Sequence, residues 1–352
     1  MADIYYTVSS DLHRMARLEG GEVIEIDFEI QGKPISLLSG IYLGRIVEIQ
    51  RPLRAAFVDI GEEKLGMLPL QEGNLPQVNK GDAVLVQVTR TANPGEGKGV
   101  RLTRLITLSL GPLLYTPFKP GFNLSKKLKE REVFKTFFDI KKEEGLVVRH
   151  WAVPDDSLRK QLLELREEWE SLQKQLNAKP PVCLIPAPDM LTRILRSMNS
   201  SDTLRVDNLQ IQAKSKGVAT YSKETAFDDR CEEAWESLQE SEISIPQGGT
   251  LYIEETRGLT VIDVNSQGAL RQSELFNRKA IKEALRQIQL RDLGGKIVLD
   301  LIDSPKALDP LIKGLSLPSN LEIWGLSTMG LLEMIRRRRR LSLPQRLNLQ
   351  LN

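Results

Sequence analysis

Apolar and polar residues alternate from Glu22 to Ile30 with the two-residue period of a half-buried strand, and Gln31, Gly32, Lys33 and Pro34 form its turn. From Gly40 the runs become shorter: Ile41 to Ile49, Ala55 to Ile60, Gly66 to Leu70, Ala83 to Thr89 and Val100 to Thr103. Five short strands separated by Gly- and Pro-bearing turns predict a small closed barrel of the OB kind. No pattern persists from Thr107 to Glu144, which reads as a linker with a basic cluster from Lys126 to Arg131, leading to a strand from Gly145 to Arg149. The period then becomes helical. Leu158, Leu162, Leu165, Trp169, Leu172 and Leu176 recur at steps of four and three, behind a cap at Asp155, Asp156 and Ser157. This helix runs to about Asn177 and is stopped by Lys179, Pro180 and Pro181, and its stripe can pack within the chain or against a second copy.

Farther on, the pattern predicts a strand from Val182 to Ile185, a helix from Pro188 to Met198 and paired strands from Thr203 to Lys214. An acidic amphipathic helix follows from Thr225 to Gln239, with Ala226, Cys231, Ala234, Trp235 and Leu238 inward. Pro246 to Gly249 is a turn, and Leu251 to Glu254 and Leu259 to Ile262 are strands around Thr256, Arg257 and Gly258. A helix from Ser273 to Leu290 ends at Asp292, Leu293, Gly294 and Gly295. Ile297 to Leu299 is apolar throughout, as a covered strand should be. Leu321 to Trp324 is one more strand, and a short helix is expected from Leu331 into the arginines. The tail from Leu341 to Asn352 reads as a docking segment or a frayed end.

Composition changes this picture little. The 352 residues allow two or three domains, and 49 Lys plus Arg against 47 Asp plus Glu leave the net charge uninformative. Distribution says more: Arg336 to Arg340 is an unbroken cationic run, while Glu232, Glu233, Glu236, Glu240 and Glu242 form an acidic stretch. Cys183 and Cys231 are the two cysteines, in no metal-ligand spacing and near neither His13 nor His150 in sequence, so no zinc site and no disulfide scaffold is expected. No run reaches transmembrane length and no signal peptide is recognisable, so a cytoplasmic protein without a membrane partner is expected.

Two features carry chemistry. The apolar runs Leu259 to Ile262 and Ile297 to Leu299 each lead into an aspartate, Asp263 and Asp300, joined by a strand–helix–strand crossover. Carboxylates where buried strands reach solvent can hold a metal ion against a substrate, or serve as caps and turns. In the barrel, Phe57 and Lys98 are candidates for stacking on bases and tracking phosphates of a single strand, against a core phenylalanine and a solvated lysine.

At these residues the sequence resembles the RNase E/RNase G endoribonucleases. Leu259 to Ser266 is similar to that family's LTAIDINS, Leu290 to Asp303 to its LRDLGGLIVIDFID, and Gly330 to Met334 reproduces GLLEM. In the barrel, Ala55 to Gly61 and Gly66 to Leu70 resemble AAFVDYG and GFLPL. The resemblance covers most of residues 20 to 340, weakly between about 110 and 245.

The resemblance implies an α+β multidomain protein: a DNase I-like catalytic lobe at 245–352, a split RNase H-like lobe at 1–38 and 183–244, an inserted S1-type OB barrel at 39–110, and a 5′-sensor-like region at 111–182. It implies that Asp263 and Asp300 hold a catalytic Mg²⁺ and that Asn265 stands beside them, with Asp303 only a candidate to support them from behind. It also implies RNA contacts from Phe57, Lys98 and Arg149, with Arg336 and Arg337 as candidates to supply charge where the family has an arginine and this chain has Thr328. Other departures are Met67 for a phenylalanine of the barrel and Arg149, His150 and Trp151 where the family has Arg-Thr and a glycine-rich turn. The family's paired-cysteine zinc link is not matched, so no zinc is expected, and any homo-oligomer would form through another surface.

The expected function is Mg²⁺-dependent hydrolysis of single-stranded RNA in RNA processing or decay, with an RNA-binding protein of the same fold and little or no nuclease activity as the alternative. A small-molecule α/β phosphatase would leave the barrel and the arginines unexplained.

Overall fold

The structure is a computed structural model that describes all residues except 33–35, 73–74, 93–96, 129, 200, 223–226, 246–247, 267–272, 303–304, 316, 318–319 and 352. Among the sequence expectations, Lys33 and Pro34 of the first turn, Lys129, Ala226, Pro246 and Gln247, and Asp303 lie outside the described residues. The chain divides into two compact units. One comprises Met1, Gly32–Asp202 and Gln210–Val218; the other comprises Ala2–Gln31, Thr203–Leu209 and Ala219–Asn352.

Strands β1 (Asp3–Ser9), β2 (Leu12–Glu19) and β3 (Glu22–Ile30) open the chain as an antiparallel meander of the second unit. The first unit begins with β4 (Ile41–Gln50), β5 (Ala55–Asp59), β6 (Gly66–Pro69), β7 (Ala83–Arg90) and β8 (Arg101–Thr103). Strand β4 pairs with both β5 and β7, and β5–β6–β8–β7 completes the ring, so the five strands close into a barrel as expected. Closure removes the exposed edges that an open sheet this small would carry. Tyr42, Ile46, Val58, Leu68, Val86 and Leu102 fill the interior.

The segment read as a linker is structured. It forms β9 (Leu108–Leu110), β10 (Leu113–Thr116), β11 (Gly121–Leu124) and helix α1 (Arg131–Phe137). With β12 (Gly145–Val148), the strands make a four-stranded sheet in the order β11-β12-β10-β9. Three- and four-residue strands are too short to display a period, which is why the pattern vanished there.

Helix α2 (Asp156–Lys174) continues as a 3₁₀ turn through Asn177, and the Asp155 carboxylate caps it by accepting from Leu158 N at 3.0 Å. Its Leu158, Leu162, Leu165 and Leu172 are buried in the core of this sheet and Trp169 packs against it, so all of the stripe but the exposed Leu176 packs within the unit. Burial alone would raise the pKa of Glu144. The Arg166 guanidinium and the Lys141 N–H donate to its carboxylate and hold it below the usual range instead.

Strand β13 (Val182–Ile185) adds to β4, and α3 (Met190–Ser197) follows. After β14 (Thr203–Val206), the expected second strand is instead helix α4 (Leu209–Lys214).

In the second unit, β14 runs parallel to β1, and the sheet order is β15-β14-β1-β2-β3 with β15 (Thr220–Tyr221) at its edge. Helix α5 (Asp229–Glu236) is capped by Asp228, shorter than predicted, and buries Cys231 and Ala234. The larger sheet comprises β16 (Glu242–Ser244), β17 (Thr250–Glu255), β18 (Leu259–Asn265), β19 (Gly295–Asp300), β20 (Leu321–Leu326) and β21 (Leu331–Arg336), in the order β16-β17-β18-β19-β21-β20. Helix α6 (Ser273–Leu290) makes the crossover from β18 to β19, which are parallel, and the other neighbours are antiparallel. Helix α6 and α7 (Pro305–Lys313) belong to the core beneath one face, where Ile262, Ile297, Leu299, Leu332 and Met334 meet Ile281, Ile288 and Leu308.

One further expectation is corrected here, and one left with two alternatives is decided against the frayed end. Leu331–Arg336 is strand β21, because its burial has period two: Leu332 and Met334 point inward and Glu333 outward. The tail is helix α8 (Leu343–Leu351), whose Leu343 and Leu347, four residues apart, are buried beside Phe28 and Leu290.

Candidate active site

One face of the six-stranded sheet is sealed by helices and the other is open. Along β18, Thr260, Ile262 and Val264 are buried, while Asp263 and Asn265 are exposed. Along β19, Ile297 and Leu299 are buried and Asp300 is exposed. The parallel register sets Asp263 directly beside Asp300, so the two carboxylates project from the same face on adjacent strands, about 4.8 Å apart at the backbone. Asn265, two residues on, shares that face by the strand period. Among the described residues, neither Asp263 nor Asp300 has a hydrogen-bonding or ion-pair partner. The geometry therefore leaves both aspartates available rather than spending them as caps.

A close backbone approach fixes this corner. Gly249 has φ +98°, and a Cβ there would meet Phe276 Cε2 at 2.5 Å and the Asn265 carbonyl oxygen at 2.8 Å. No side chain fits between the β17 approach and the end of β18, so glycine lets Asn265 reach its place.

Hard oxygen donors on one exposed face fit a small divalent cation, which is held through one or two carboxylates and keeps several waters. Among the described residues, no cluster of three or more His, Cys, Asp and Glu side chains is arranged to hold a metal. Among the described residues, a site built on Asp263 and Asp300 is a two-carboxylate site, open to water and substrate.

The row continues sideways. Tyr252 on β17 is the cross-strand neighbour of Asp263, and Leu331 on β21 is that of Asp300. Beyond them, edge strand β20 carries a bulge in which Trp324 is the extra residue. Tyr252 was not singled out from the sequence, although the Thr256–Gly258 turn fixes the register Glu255↔Thr260 and hence Tyr252↔Asp263.

The arginine run stands elsewhere. Arg336 is the register partner of Gly295, at the opposite end of β19 from Asp300, about 17 Å away for five residues of strand. Its guanidinium donates to Asp292 Oδ1 at 2.8 Å and to the Leu293 carbonyl at 2.8 Å. Arg338 Nε donates to the Gly294 carbonyl at 3.0 Å. Arg340 donates to Asp292 Oδ2 at 2.7 Å and to Asp27 Oδ2 at 2.9 Å, and Arg346 to Asp27 Oδ1 at 2.8 Å. Asp27 and Arg346 are each 4% exposed. Burial alone would lower the pKa of Arg340, but Asp27 and Asp292 overrule it and hold the guanidinium charged. Arg337 is exposed. The expectation that the run supplies charge beside the acidic pair is therefore corrected for Arg336, which ties a loop to the sheet.

In the first unit, Phe57 pairs with Met67 and Met67 with Arg101, so an aromatic, a thioether and a cation form one row across β5, β6 and β8. Phe57 and Met67 are half-buried and Arg101 is exposed. Lys98, also exposed, stands on the loop entering β8. Arg149 follows β12 with its guanidinium 5.3 Å from the Trp151 ring centroid, and His150 meets the same indole edge-to-face at 5.0 Å.

With this geometry in place, comparison with known proteins is informative. Residues 109–339 match the Ribonuclease E/G family. Ribonuclease E of Haemophilus influenzae is 28% identical over 92% of this chain and 40% of its own length. Ribonuclease E of Escherichia coli strain K12 is 28% identical over 92% of this chain and 36% of its own. Ribonuclease G of Haemophilus influenzae is 26% identical over 97% of this chain and 80% of its own. The chain thus spans about two fifths of the length of these two ribonuclease E relatives.

Proposed function

This chain belongs to the Ribonuclease E/G family, and on that premise we propose that it is an endoribonuclease cleaving single-stranded RNA with Mg²⁺ held by Asp263 and Asp300. The observation that carries the reading is the register pairing of these two exposed aspartates on one open sheet face. When bound, the cation would polarise the scissile phosphate and lower the pKa of an attacking water.

The protein's own groups do the rest. Asp263 and Asp300 supply two anionic oxygens with no competing cation among the described residues. Asn265 adds a neutral amide on the same face, able to orient a water or a phosphate oxygen without adding charge. Phe57 stacks on a base, and Lys98, Arg149 and Arg337 contact phosphates. In this reading 245–352 is a DNase I-like catalytic lobe, 39–110 an S1-type barrel, 111–182 a 5′-sensor-like region, and 1–38 with 183–244 an RNase H-like lobe. The activity serves RNA processing or decay in the cytoplasm, without zinc.

The test is cleavage of a short unstructured RNA with Mg²⁺ and with EDTA, for the unaltered chain, Asp263→Asn and Asp300→Asn. Cleavage by the unaltered chain only with Mg²⁺, lost in both variants while RNA affinity is retained, is expected. Wild-type rates in either variant would remove the site assignment, and a bound but intact RNA with the unaltered chain would make this an RNA-binding protein without nuclease activity.

A further inference from the structure

The acidic pair has an aromatic residue on each side. On one side, Tyr252 is the direct cross-strand neighbour of Asp263, one strand away and half-buried. On the other, Trp324 lies on edge strand β20, two strands beyond Asp300 and two residues back along the strands, about 12 Å away at the backbone. Trp324 is 74% exposed. Its place is set by the bulge between Ile323 and Gly325: Ile323 opposes buried Met334, and Gly325 opposes Glu333. Glu333 is in turn the neighbour of Val298, two residues before Asp300 on β19, so it belongs to the open face. A bulge sets two residues against one, which turns Trp324 with Gly325 toward that face.

An indole this exposed contributes little to the core, and the residues facing it along the open rows, Val298 and Leu331, are themselves only half-buried. A single exposed aromatic is ordinary on a protein surface; what distinguishes this one is its place on the open face that carries Asp263 and Asp300.

Resting on the reading of Asp263 and Asp300 as the site of RNA cleavage, we infer that Tyr252 and Trp324 are stacking platforms on opposite sides of the scissile phosphate, Tyr252 for a base next to it and Trp324, about 20 Å from Tyr252 over four strand spacings, for a base a few nucleotides farther along the strand. The aromatic faces hold the bases, while the sheet between them presents the carboxylates to the backbone. Stacking accepts every base, because each has a π-face, so this pair aligns single strands without selecting sequence. A duplex, whose bases are already stacked on one another, cannot offer them to the two rings. The arrangement therefore supplies a preference for unpaired RNA within the catalytic face itself.

The experiment is binding of a short unstructured oligoribonucleotide to the full chain in EDTA, followed by Mg²⁺-dependent kinetics. Trp324→Ala and Tyr252→Ala should each weaken binding about five- to a hundredfold, with Trp324→Phe and Tyr252→Phe retaining most of the affinity. The dependence of affinity on salt should keep its slope, since no phosphate contact is removed. With Mg²⁺, KM should rise more than kcat falls. Thermal midpoints identify any variant that has simply lost its fold, and the Phe variants serve in its place.

If the unaltered chain cleaves RNA and both Ala variants bind as it does, the stacking inference is wrong and the nuclease reading stands. If the Ala variants lose affinity but the unaltered chain never cleaves, stacking stands and the nuclease reading falls. No RNA binding by the unaltered chain removes both.

Discussion

The two ends of one sheet in the second unit treat charge in opposite ways. At the Asp300 end, two aspartates lie side by side, exposed and without a cation among the described residues. At the Gly295 end, Arg336, Arg338 and Arg340 are held by Asp292, Asp27 and the carbonyls of Leu293 and Gly294. The difference teaches where to look for chemistry. In the longest run of charge in the sequence, Arg336 and Arg340 are spent on ion pairs and Arg338 on a carbonyl, whereas two single aspartates, each behind an apolar run, are left open to solvent. Charges that stabilise are paired and buried; charges that act are left unpaired at a mouth.

The largest effect should come from the paired end. Asp27→Ala leaves Arg340 and Arg346 buried without their carboxylate, and should cost about 3–5 kcal/mol in denaturant unfolding. A loss within experimental error would mean that the cluster is solvated and that the contrast is false.

A smaller effect, of opposite sign, is expected at Glu255. Burial raises its pKa, and the Ser342 hydroxyl, which donates at 2.6 Å, only partly offsets this. A carboxyl with a raised folded-state pKa favours the fold below its unfolded value, about 4.3, and loses that contribution as pH rises through the folded value. Glu255→Gln should therefore stabilise modestly at pH 8, and the difference should disappear below about pH 4. A difference independent of pH would mean that Glu255 remains ionised in the fold at no cost.

The smallest effect belongs to the open end. Asp263→Asn and Asp300→Asn should each change stability by no more than about 0.5 kcal/mol, because neither carboxylate holds anything together. A large loss in either would give the aspartates a structural role and dissolve the comparison.

Much of this architecture was legible in the sequence. The five barrel strands were readable because Gly- and Pro-bearing turns bound each run, and the β18–α6–β19 crossover because its apolar runs and helix stripe are long enough to show a period. The strands β9, β10 and β11 were not, since three or four residues carry no period. Strand β21 was read as a helix because only Leu332 and Met334 point inward and the cationic residues beyond them masked the alternation.

At the candidate site, Asp263, Asn265 and Asp300 could be named from motif and pattern, but their pairing is a property of register. Tyr252 could have been found by extending the hairpin register from its turn. Trp324 could not, because its place depends on a bulge and on which strand occupies the sheet edge. The fate of the arginines was least legible of all. Asp27 lies more than three hundred residues from Arg340, and nothing local announces that they meet.

The most direct test of the central claim is a calorimetric titration of the full chain with Mn²⁺ as a probe for Mg²⁺, in the absence of RNA. The account predicts one saturable site in the unaltered chain, abolished by Asp263→Asn and by Asp300→Asn and untouched by Arg337→Ala. Equal binding in the unaltered chain and in both aspartate variants would contradict it.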